Sequence, residues 1–192
     1  MPYLFVLLGN LAAFLPVWLG HWSVFALVTL YWFENVVTGV LQFLKLRAVE
    51  RVQGRDPHFP MSSFFAVHYG IFTVVHGVLV LVFFGFVMAG GRSGGAALWW
   101  LSALAVSIGP ILDYRRRFVQ GDDAKHASQD RLMFEPYGRV VVLHVVVLIG
   151  AWLALATEQP RNVLFLLIGL KLAVELFMAH RAMSSTAVAA KS

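Results

Sequence analysis

Three histidines and two glutamates stand inside stretches that are otherwise almost wholly apolar. They are Glu34 in YWFENVVTG, His68 and His76 in FFAVHYGIFTVVHG, His144 in PYGRVVVLHVVV and Glu175 in GLKLAVELFMAH. Imidazole and carboxylate hold zinc or iron where no thiolate is present, and the same two groups pass protons. His68, His76, His144, Glu175 and Glu34 are therefore a candidate metal set. In a hydrolase, Glu34 or Glu175 would be the catalytic base toward a metal-bound water. Asn35, Tyr69, Arg139 and Lys171 complete the polar group. Ionisable side chains at membrane depth cost a few kcal/mol each by insertion scales, so they are functional candidates by default.

Spacing limits how these residues combine. Residues eight apart on a helix, as His68 and His76 are, differ by about 12 Å in height and about 80° in azimuth. They read as two stations, unlike His-x-x-x-His, which puts both rings on one face. Counting from the expected helix ends gives two layers. His68, His144 and Glu175 fall about 8–11 Å in, and Glu34 and His76 about 16–21 Å in, near Lys171. The first layer suits zinc or ferrous iron with a position open for water; the second suits another metal position or a proton relay. Haem between His68 and His144 is a further option, although cytochrome-type bundles repeat a histidine pair per helix. Lys171 and Glu175, at i and i+4, would neutralise one another. The plain alternative is a ligand-free hydrogen-bonded network that packs helices together. Asp122, His126 and Asp130, at i, i+4 and i+8, would line one face of a solvated helix and offer a minor cation site.

The elements that must position these groups are membrane helices. The chain has 192 residues, 59% hydrophobic and 13% charged, with mean hydropathy +0.75. A soluble domain carries about a quarter charged residues, so an integral membrane protein is expected. The fold class is an all-α transmembrane bundle of six spans: 3–19, 22–44, 62–89, 96–112, 137–157 and 162–181. Residues 1–182 would form one domain and 183–192 a flexible cytoplasmic tail. The first segment lacks a basic leader and a small-residue cleavage site, so it reads as a span and not a removed signal. Ser62 and Ser63, after Pro60, would cap the third span.

Basic residues lie mostly on one side. Lys45, Arg47, Arg51 and Arg55 follow the second span, and Arg115, Arg116, Arg117, Lys125 and Arg131 follow the fourth. The positive-inside rule then places both termini in the cytoplasm and the protein in the cell's inner membrane. The net charge of +5 reflects this topology, so no nucleic-acid partner is expected. There are no cysteines, which excludes disulfides, thiolate metal sites and iron–sulfur clusters.

The segments YWFENVVTGVLQFLK, FFAVHYGIFTVVHG, PYGRVVVLHVVVLIG and LLIGLKLAVELFMAH together resemble a family of small prokaryotic multi-pass membrane proteins classed only as a domain of unknown function. The resemblance runs from about residue 25 to 181. It implies that Glu34, Asn35, His68, Tyr69, His76, Arg139, His144, Lys171 and Glu175 are signature positions, and it implies no reaction. Three roles follow from the residues. One is a metal-dependent intramembrane enzyme or redox protein acting on a lipid-like or small-molecule substrate. The others are a proton-coupled transporter and a non-catalytic membrane subunit with a structural polar core. The lipid bilayer is a partner in all three.

Overall fold

The computed structural model describes residues 2–54, 58–82, 96–156, 165–173 and 176–177. Among these residues the regular structure is entirely helical. The helices are α1 (Pro2–Trp18), α2 (Val24–Gln53), α3 (Met61–Leu79), α4 (Ala96–Tyr114), α5 (Asp123–His126), α6 (Gln129–Ala156) and α7, over 165–173. The last turn of α4 widens into a π-turn, Arg115–Val119. Among the described residues, three stretches are long and apolar enough to cross a membrane: Phe25–Gln53, Met61–Val82 and Ala96–Val119.

The surface is as apolar as the core, and the core also encloses polar groups. Large apolar side chains such as Val67, Ile71, Val74, Leu101, Leu104, Val141 and Trp152 are exposed, whereas Asn10, Glu34, Gln42, Glu50, Ser62, Ser102 and Lys171 are buried. Water would penalise such a surface by roughly 25 cal/mol for each Å² of apolar area, whereas hydrocarbon would not. The interior then gathers the polar groups that lipid excludes.

α2 is the central post and packs against α3, α4, α5 and α6. It starts at Ser23, whose hydroxyl accepts the Ala26 N–H at 3.3 Å, and stops at Gly54, where φ is +100°. Only glycine enters that backbone region without strain, which fixes the end of α2. α2 runs nine residues beyond the span expected to close at Leu44, and its last turns carry Arg47, Glu50 and Arg51.

Two of the buried polar residues, Gln42 and Ser102, answer prolines inside helices. Proline has no N–H, so it leaves the carbonyl four residues earlier without its helical donor. Pro136 in α6 frees the Leu132 carbonyl, and the side chain of Gln42 on α2 donates to it. Pro16 in α1 frees the Ala12 carbonyl, and the Ser102 hydroxyl on α4 donates to it at 2.9 Å. Both helices stay continuous because a neighbour supplies the missing donor.

α3 begins differently from expectation. Its N-cap residue is Pro60, which offers no capping side chain, and Ser62 is itself a donor. Both its N–H and its hydroxyl donate to the buried Glu50 carboxylate, each at 2.7 Å. A carboxylate from α2 thus occupies the positive end of α3, where the dipole and unpaired N–H groups favour it.

Candidate functional site

Glycines set the distance between α2 and α3. A Cβ on Gly77 would lie 2.7 Å from the Trp32 ring, and one on Gly39 would fall inside contact with the Tyr69 ring. Small residues at these points let the helices approach closely. The Trp32 indole N–H then donates to the Thr73 carbonyl at 2.9 Å, and the Tyr69 hydroxyl donates to the Asn35 carbonyl at 3.0 Å. Trp32 and Asn35 of α2 therefore lie beside Thr73 and Tyr69 of α3, and the two helices run antiparallel.

α6 runs parallel to α3, and their seam is made of rings. Tyr137 meets Phe65, His68 and Tyr69, while His144 meets Phe72 and His76. His76 Nε2 and His144 Nδ1 face one another in direct contact, with ring centroids 4.3 Å apart. Lys171 Nζ of α7 lies 3.1 Å from Glu34 Oε2, and the two side chains are only 8% and 10% exposed. The Tyr31 ring stacks under the ammonium at 5.0 Å, adding a cation–π contact. The helices thus enclose a histidine pair and an ion pair.

This arrangement corrects the two-layer expectation. His144 joins His76, not His68. The expected depth counted His144 from Tyr137, just after Pro136, whereas α6 begins at Gln129, eight residues earlier. That places His144 about 12 Å farther along its helix than counted. His68 is exposed on the outer face of α3, beside Val67 and Ile71, with ring contacts of 5.5 Å to Phe64 and Tyr137. The pairing of His68 with His144 that a haem would require is not formed.

Glu34 is engaged by Lys171. Asn35 contributes its backbone carbonyl to Tyr69. Glu175 and the side chain of Arg139 lie outside the described residues. Among the described residues, no group of three or more His, Cys, Asp or Glu is placed to hold a metal ion.

The cation face expected of Asp122, His126 and Asp130 is broken. α5 ends at His126, Ala127 is extended, and α6 starts at Gln129, so the three residues do not share a helix. Asp122 pairs with Lys125 at 2.6 Å, and that hydrogen bond and charge hold its carboxyl below the usual range.

Gln42, Glu50, Ser102 and Tyr31 are structural partners that sequence reading passed over. A signal existed for two of them: a proline within an apolar helix demands a donor elsewhere, and Gln42 and Ser102 are polar residues inside apolar spans.

No curated protein and no solved structure matches the chain. The family match is broader than the 25–181 resemblance: it covers residues 1–192, and the chain belongs to the family of unknown function DUF6498.

Proposed function

We propose that this is an integral membrane protein of six spans, with both termini in the cytoplasm of a cell and the bundle in its inner membrane. Its buried layer takes up and releases a proton to drive transport of a small molecule. The contact between His76 and His144 carries the reading. Two imidazoles whose ring nitrogens meet hold one proton between them, one ring donating and the other accepting. The neutral pair has no net charge, and one added proton makes a single imidazolium that still donates to its neighbour; a further proton makes both rings cationic, with N–H facing N–H in a low-dielectric interior, and the seam between α3 and α6 must then part. That seam consists of aromatic and imidazole contacts, so protonation is coupled to movement of one helix against the other. The Glu34–Lys171 pair is a second place where a proton and a charge can be exchanged.

The test is proton uptake in proteoliposomes containing a pH-sensitive dye. After an external acid step, wild-type vesicles should acidify faster than empty ones. His76→Phe and His144→Phe should abolish the difference, and His68→Phe should keep it. Equal acidification by the wild type and both inner-histidine variants removes the reading.

A metal-dependent enzyme acting on a lipid-like substrate is the second reading, favoured by the convergence of two imidazole nitrogens from different helices. It predicts stoichiometric zinc or iron in chelator-free protein, lost on His144→Ala.

A further inference from the structure

We infer that the π-turn at the end of α4, with the adjoining end of α2, is a binding site for the headgroup of an anionic phospholipid. Five acids at this end of the bundle are already engaged by neighbours. Asp113 and Asp123 both engage Arg117, at 3.8 and 2.6 Å. Asp122 engages Lys125, Glu50 is buried against Ser62, and Glu135 accepts from Gln42 at 3.3 Å with its charge directed at Arg117. Arg115, Arg116, Arg47 and Arg51 are exposed and make no ion pair among the described residues.

The geometry then concentrates these cations. Phe118 is buried and stacks on Tyr114, and Lys45 of α2 lies 5.6 Å from its ring centroid. Phe118 therefore pins the three-arginine turn against the basic end of α2. The turn follows an i+5 pattern, and its wider coil keeps consecutive arginines closer in azimuth than an α-helix would. Gly121 closes it: a Cβ there would lie 2.8 Å from the carbonyl oxygens of Arg116 and Arg117.

What distinguishes a lipid from another polyanion is the neighbouring apolar surface. Ile108 and Ile111 on α4 and Val119 at the end of the turn are exposed, and Ala96–Val119 is apolar enough to cross a membrane. Arginines thus stand directly at the end of a lipid-facing stripe. A phosphodiester there accepts the guanidinium forks while its acyl chains lie along the stripe. A free polyanion would gain nothing from the isoleucines.

The experiment compares lipid retention by native mass spectrometry and unfolding temperature in nanodiscs of phosphatidylcholine, with and without phosphatidylglycerol. The wild type should retain phosphatidylglycerol and unfold at a higher temperature with it. Arg115→Gln/Arg116→Gln should weaken retention on the order of thirtyfold, as expected for two arginines near the surface. Lys125→Gln/Arg131→Gln, a charge-matched control, should leave it unchanged. Equal retention by the wild type and the arginine variant overturns the proposal, as does an equal loss in the control, which would mean net charge alone. Displacement by inorganic phosphate at matched ionic strength also overturns it, because the site would then read phosphate without lipid. If the arginine variant does not fold, salt titration of the wild type decides: retention must fall as salt rises, and indifference to salt refutes the site.

Discussion

His76 and His144 occupy matching positions on parallel helices: each lies fifteen residues beyond the first residue of its helix, Met61 for α3 and Gln129 for α6, and their rings meet. Equal depth is what allows one hydrogen bond to join two helices that otherwise touch through aromatic rings. His76→Leu should therefore leave His144 with an unmet polar atom and destabilise the protein by about 1–3 kcal/mol. His76→Leu/His144→Leu should recover part of that loss. Unfolding temperatures in detergent give the coupling, expected at about 0.5–3 kcal/mol, and strict additivity would refute the pairing.

The Glu34–Lys171 ion pair should behave as a buried pair. Removing one partner, as in Glu34→Gln or Lys171→Met, leaves an uncompensated charge or donor at the centre of the bundle, at a cost of about 3–5 kcal/mol for a remaining full charge. The double variant Glu34→Gln/Lys171→Met should be closer to the wild type than Glu34→Gln alone. Thermal unfolding of the four proteins checks this, and a double variant worse than both singles contradicts it.

Gln42 and Pro136 should be linked although they lie on different helices. Gln42→Leu deprives the Leu132 carbonyl of its donor, and about 1–3 kcal/mol of stability should go with it. Adding Pro136→Ala restores a backbone N–H to that same carbonyl, so it should rescue Gln42→Leu while doing little in the wild-type background. Failure of rescue would mean that Gln42 acts through packing instead.

Glu50 should govern the start of α3 in particular. Glu50→Ala removes the acceptor for both the N–H and the hydroxyl of Ser62, at a cost of about 1–2 kcal/mol. Hydrogen exchange should accelerate at residues 61–64 and not at the level of His76. Uniform acceleration along α3 would point to a global loss of stability and not a lost cap.

Much of the architecture was legible in the residues alone. Composition and run length require apolar helices, and charge inside those runs singled out Glu34, His76, His144 and Lys171 before any contact was visible. Spacing along one helix also separated His68 from His76, because rise and azimuth per residue are constants of the α-helix. The tertiary structure decided what spacing cannot reach: the relative height of two helices. That height depends on where each helix begins. α6 passes through Pro136, and Gln42, 90 residues before Leu132, donates to the carbonyl the proline leaves open. This earlier start carries His144 past His68 to His76. The same holds for Glu50, whose place at the head of α3 depends on where α2 ends, and for Lys171, which reaches Glu34 across the bundle. Local periodicity records which face of a helix a residue occupies; packing alone determines which residue it meets there.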